Sequence, residues 1–179
     1  WTPATAPVEV VLNGDYIGLY FLTETIRVDK DRVNIVEQED EETDPTAITG
    51  GWLVEIDNYD TDPHVTIKEG DDRHDIWFTY KTPEVLSKAQ ETFLGDEMTR
   101  IDNLVYGDKN SDELWQYLDM DALAKFYIVQ EIMDNYESFH GSCYLYREKG
   151  DGEKWKFGPV WDFGSAFFRE KTMYLYEGD

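Results

Sequence analysis

Strand-length apolar runs separated by polar turns fill most of the first eighty positions, and the period then lengthens. Val8-Glu-Val-Val-Leu12 reads as a short strand. Asn13-Gly14 follows as a hairpin turn, because both residues tolerate positive φ. Tyr16-Ile-Gly-Leu-Tyr-Phe-Leu22 is the return strand, running on towards Ile26. Gly14 and Gly18 bracket Tyr16, a spacing that permits a bulge or the close approach of another group. Gly50-Gly-Trp-Leu-Val-Glu-Ile-Asp57 alternates apolar and polar, and His64 to Lys68 and Asp75 to Lys81 read as two further strands around the polar turn EGDDRH. The first eighty residues are thus expected to be mainly antiparallel β. Glu37 to Pro45, EQEDEETDP, reads as a solvated loop.

Helical spacing takes over at Thr82-Pro83, where proline at a first helical position predicts a helix start. Val85, Ala89, Phe93, Met98, Ile101, Leu104 and Val105 give an apolar stripe to about Tyr106. GDKNSDE breaks it, and Leu114 to Leu118 is a short helix. Asp119 or Asp121 caps the next helix, which carries Leu123, Phe126, Tyr127, Val129, Gln130, Ile132 and Met133. It is apolar on most sides and is expected to be the central buried helix. Ser142 to Arg147 and Glu153 to Phe157 form a late hairpin across EKGDG, and GPVWDFG leaves its second strand directly. The fold class is therefore α+β.

With 179 residues, 41% of them hydrophobic, the chain can bury the core of one domain. It is read as a single domain over 1–179. It starts at Trp1 and opens almost at once into a strand, which reads as a piece cut from a longer protein. Lys and Arg number 16 against 39 Asp and Glu, a net charge of −23. That charge argues against nucleic acid and anionic membrane as partners. A bound phosphate would need a metal ion or a local basic pocket. No run is long enough to insert in a membrane. The single cysteine, Cys143, forbids an internal disulfide and reads as a buried thiol.

One constellation could carry chemistry. The buried helix leads into Asp134-Asn-Tyr-Glu-Ser-Phe-His-Gly-Ser142, then the late hairpin, then Asp162-Phe163-Gly164. Kinase catalytic loops place an Asp, four residues and an Asn, and later the Asp of Asp-Phe-Gly; the Asn and the later Asp ligate magnesium. Here Glu137 and Ser142 hold that spacing, and a hairpin between them and Asp162 would fold the two loops together. Oxygen ligands of this kind suit Mg²⁺ or Mn²⁺. An Asp-Phe-Gly triplet alone equally fits a hydrogen-bonded turn.

Three segments carry a family resemblance: VEVVLNGDYIGLYFLTETIRVDKDRV, GGWLVEID, and YIVQEIMDNYESFHGSCYLYREKGDGEKWKFGPVWDFGSAF. In order and spacing they resemble the CotH kinase family, named for spore coat protein H, over nearly the whole chain. Their wording is similar to exported or surface-anchored members from Bacteroidetes. The resemblance implies an atypical protein-kinase-like fold and transfer of phosphate from ATP to protein Ser/Thr with a divalent metal, so nucleotide and protein substrate are the implied partners. It also implies an exported, cell-surface or extracellular location, which this sequence does not itself record. By position, Asp162 matches the family's metal-binding Asp, Glu137 an acidic loop position that is usually Asp, and Asn135 an Asn two residues before it. Gly164 stands where the family's motif has a second Asp, and the resemblance implies that the chain begins after the family's N-terminal strands, as a fragment of the full domain. On this reading Glu137 and Asp162 are catalytic and metal-holding, and Asn135 and Ser142 support the loop and metal.

Other candidates weigh less. Glu24 is either a surface charge or the partner of a phosphate-binding cation beyond this chain. Arg27 and Lys30 are the nearest basic candidates for phosphate contact. His64, His74 and His140 lack zinc-ligand spacing. DNYDTDP, residues 57–63, lacks the central Gly and terminal Glu of a calcium loop. The alternative class is a non-catalytic module that binds a surface protein or a glycan through its Trp and Tyr. Exposed, coplanar aromatics would favour it; converging Glu137 and Asp162 carboxylates would favour phosphotransfer.

Overall fold

The computed structural model describes residues 1–57, 61–68, 75–107 and 112–166. The turn EGDDRH, most of GDKNSDE and His74 lie outside these residues. The fold holds a two-stranded sheet, β1(Thr5–Leu12) and β2(Asp15–Thr23), and a five-stranded sheet. The larger sheet contains β3(Trp52–Asp57), β4(His64–Ile67), β5(Ile76–Thr82), β6(Cys143–Arg147) and β7(Lys156–Phe157), in the order β4-β5-β3-β6-β7. All these pairings are antiparallel. The helices are α1(Lys88–Tyr106), α2(Leu114–Tyr117) and α3(Met120–Met133).

Local chemistry explains several boundaries. Asn13 and Gly14 have φ of 53° and 94°, and Leu12 pairs with Asp15 across a two-residue turn. The register shift between Val10 and Val11 leaves Ile17 as the extra residue beside Gly18, whose φ is 124°. α1 begins later than Pro83 suggests. Ser87 is its cap: the Ser87 hydroxyl accepts from the Gln90 amide, and the Gln90 side chain accepts from the Ser87 amide. That reciprocal box satisfies two orphan donors at once, so it sets the helix start. Asp119 caps α3, accepting from Ala122 N at 2.8 Å.

The late hairpin does not stand apart from the first sheet. β6 pairs along β3, joining residues some ninety positions apart. Alternation then sorts the side chains onto two faces. Trp52, Val54, Cys143 and Leu145 meet Leu94 and Met98 of α1, Phe126 of α3 and Trp155 in the main core. Leu53 and Tyr144 meet Val33 and Ile35 on the other face, flanked by Tyr146 and Trp161. Burying a side chain such as Leu94, which is fully enclosed, contributes about 1.5–3 kcal/mol.

Two expectations are revised. α3 is not the central buried helix: it buries Phe126 and Gln130, while Ile128 and Ile132 are exposed. It packs on the β7 edge of the sheet, so one face has nothing over it among the described residues. The acidic stretch 37–45 is a loop, but not a wholly solvated one. Gln38 is buried, donating to Gly50 O and accepting from the Gln90 side chain at 2.8 Å, and Asp40 accepts from the Glu84 and Val85 amides. Of its residues, the uncharged Gln38 is the one that is buried.

Candidate functional site

α3 ends at Asp134, left-handed with φ of 50°, whose amide turns back to the Gln130 and Glu131 carbonyls. The helix therefore stops sharply and releases the loop that follows. Ser142 closes that loop, also at φ 50°. Non-glycine residues in this region cost energy and hold there only when their surroundings fix them. Asn135 is one such fixture. It is 2% exposed, and its amide nitrogen donates to Gln130 Oε1 at 2.9 Å and to the carbonyl of Asp162 at 3.3 Å.

The second half of the site arrives through β6 and β7. Gly158 N donates to Tyr144 O at 2.8 Å, keeping the segment after β7 against β6. Asp162 then adopts φ of 52°, and its Oδ1 accepts from Gly164 N at 3.0 Å. A side chain at position 164 would place its Cβ 3.0 Å from that same Oδ1. Glycine at 164 thus gives the Asp162 carboxylate room to fold over its own turn. Ser165 Oγ donates to Glu137 Oε2 at 2.7 Å.

The loop carrying Asn135 and Glu137 and the turn carrying Asp162 are therefore tied together at two points. Asp162 is exposed and Glu137 half-buried. Ser142 sits at the loop's end, half-buried, and no hydrogen bond joins its side chain to either carboxylate. His140 lies edge-on to Tyr136 at 5.3 Å. Arg27 and Lys30 stand elsewhere, on an exposed turn, beside Asp29 at 3.7 Å and Asp31 at 3.8 Å.

Glu24 does engage a cation within this chain. Its Oε1 lies 3.1 Å from Arg32 Nη2, and its Oε2 accepts from Ala4 N. Arg32 also lines a cleft of about 620 Å³ between the N-terminal half of α3, residues 32–34 and residues 156–160, two positions short of Asp162. Sequence reasoning passed over Arg32 because spacing does not separate it from Arg27 and Lys30. The parallel bridge between Val28 and Val33, which turns Arg32 inward, is a tertiary feature. Cys143 is buried as expected, and burial pushes its thiol far above the ordinary range, so it is no nucleophile.

Among the described residues, no three His, Cys, Asp or Glu side chains converge as metal ligands. A magnesium-type ion held with substrate phosphates needs fewer, one or two carboxylates with the remaining positions filled by phosphate and water. The donors here fit that demand. Asp162 and Glu137 offer carboxylate oxygens, and Asn135 Oδ1 is buried without a partner. All are hard oxygen donors.

Among the described residues no helix is long and apolar enough to cross a membrane. No curated protein and no solved structure matches the chain. The family model of the CotH kinase protein matches residues 1–177. That match spans the glycine hairpin, the central sheet, the 134–142 loop and the Asp162 turn, and the chain belongs to the CotH kinase family.

Proposed function

We propose that this protein transfers phosphate from ATP to a Ser or Thr hydroxyl of a protein substrate. Supporting this is the pair of ties that bring the loop and turn together, Asn135 to the Asp162 carbonyl and Ser165 to Glu137. Asp162 and Glu137 would hold Mg²⁺ or Mn²⁺, which supplies positive charge against the nucleotide phosphates. Asn135 fixes the Asp162 backbone, so the carboxylate is placed before ligand arrives. Glu137, oriented by the Ser165 hydroxyl, accepts the proton of the acceptor hydroxyl or aligns that hydroxyl for attack. Ser142 ends the loop and keeps its reach short. Arg27 and Lys30, on their exposed turn, are retained as outer phosphate contacts, and Arg32 is the more enclosed cation.

A second reading, a non-catalytic binding module, has its own support. Tyr16, Leu19 and Phe21 are 61%, 61% and 67% exposed, and their partners Val11, Glu9 and Pro7 alternate along β1, so the three share one face of the hairpin. Such a stripe offers planar surface to a glycan or a protein.

Calorimetric titration with ATP in Mg²⁺ and in Mn²⁺ tests the proposal, on this chain and on an N-terminally extended one. Metal-dependent binding that disappears in Asp162→Asn is the expected result. Binding only by the extended chain would place part of the nucleotide site outside residues 1–179. No binding by either would overturn the kinase reading and leave the binding module.

A further inference from the structure

The face of the large sheet that carries Tyr144 also carries a buried ion pair outside the constellation above. Glu55 lies mid-strand in β3 and is 5% exposed. Lys81 Nζ sits 2.8 Å from Glu55 Oε2 and 3.7 Å from Asp62 Oδ2. From the other side the Tyr144 phenol hydrogen-bonds Glu55. Thr79, Glu55 and Tyr144 form one cross-strand row over β5, β3 and β6, and the buried Thr79 hydroxyl has no partner.

Three features set this group apart from an ordinary structural ion pair. Lys81 is the extra residue of a β-bulge: Leu53 pairs with Thr82 and Val54 with Tyr80, leaving Lys81 unopposed. Bulges re-aim a side chain and concentrate beside functional sites. Next, a charge pair buried in a sheet gains little stability over apolar residues of similar size, so stability alone is a weak reason for one here. Finally, the row leads towards the Asp162 turn, because Trp161, the residue before Asp162, packs on the cluster that holds Tyr144. Lys81 is 29% exposed, so the ammonium is reachable from solvent while Glu55 holds it. Two strand spacings, about 10 Å, separate β5, which carries Lys81, from β6, which carries Tyr144.

We infer that Lys81 is a phosphate-contacting residue, held in place by Glu55 and Asp62, for the nucleotide whose metal-bound end lies at Asp162. This rests on the phosphotransfer reading. It adds a lysine–glutamate pair on the sheet to the aspartate on the turn, the combination that kinases use to grip nucleotide phosphates. The ligand class is a nucleoside di- or triphosphate bound with Mg²⁺.

Two experiments test it. In the first, Mg²⁺·ATP affinity is measured for the parent chain, Lys81→Met, Lys81→Arg and Asp162→Asn, with circular dichroism as a check of folding. Loss of one charge-assisted hydrogen bond corresponds to about 10- to 100-fold weaker binding in Lys81→Met. A smaller loss is expected in Lys81→Arg, which keeps the charge. In the second, the unmutated chain is acetylated at its amines with and without Mg²⁺·ATP, and modification of Lys81 is read by mass spectrometry. Lys81 should be protected by Mg²⁺·ATP and not by Mg²⁺ alone, a result that does not depend on any variant folding. If Asp162→Asn abolishes binding while Lys81→Met binds as the parent does and Lys81 gains no protection, the inference falls and the kinase reading stands. If neither the parent chain nor the N-terminally extended one shows binding or protection, both fall.

Discussion

Asn135→Ala would remove the tie between α3, the loop and the Asp162 turn. Asn135 is almost wholly buried, and its amide nitrogen serves both Gln130 Oε1 and the Asp162 carbonyl. Each neutral hydrogen bond contributes about 0.5–1.5 kcal/mol net, and a buried acceptor left without a donor costs about 1–3 kcal/mol more. Gln130 is 1% exposed, so its oxygen has no water to turn to. The 3.3 Å contact is the weaker one, and the Asp162 carbonyl lies nearer to solvent. The expected loss is therefore about 2–4 kcal/mol. For a chain of this size that is a fall in Tm of about 4–16 °C. Urea unfolding of the parent, Asn135→Ala, Gln130→Leu and the double variant would measure it. Gln130→Leu should cost less in the Asn135→Ala background than in the parent, by about 1 kcal/mol or more, because it removes the orphaned oxygen. A loss below about 0.5 kcal/mol, or strict additivity, would refute this account of the tie.

Two further predictions concern the sheet. Gly51 has φ of 80°, and a Cβ there would come within 2.5 Å of Val36 O and 2.7 Å of Gln38 N; Gly51→Ala should destabilise by more than about 2 kcal/mol in denaturant unfolding, and a neutral result would mean the 36–38 segment can move aside freely. Burial raises the Glu55 carboxyl above its ordinary value of 4.5, with the Lys81 ammonium opposing the shift and Asp57 adding to it. A carboxyl that holds its proton more tightly when folded favours folding below the ordinary value, and that contribution is lost as pH climbs through the raised one. Relative to the parent, Glu55→Gln should therefore gain stability as pH rises from about 4 to about 7, and a difference that stays flat with pH would count against a raised Glu55.

The sequence by itself determined the local pieces, because their causes are local. Asn13-Gly14 dictates its turn through backbone freedom, alternation marks β3, and Asp119 caps the start of α3. The order of Asn135, Glu137 and Asp162 was equally legible, since motif spacing survives in one dimension. The start of α1 was legible too, but in Ser87 and Gln90 rather than in Pro83; the reciprocal cap outweighs a proline that ends β5. Tertiary structure alone decided the rest. Alternation along β3 makes Glu55 look solvent-facing, and only the pairing of β6 beside it turns it into a buried partner of Lys81 and Tyr144. Arg32 could not be separated from Arg27 and Lys30 until the Val28–Val33 bridge and the Glu24 carboxylate turned it towards the cleft. α3, apolar on most sides, reads as central, yet its place at the sheet edge exposes Ile128 and Ile132. Periodicity states which side chains share a face. Which face is then covered depends on contacts between residues far apart in the chain, and those exist only once it has folded.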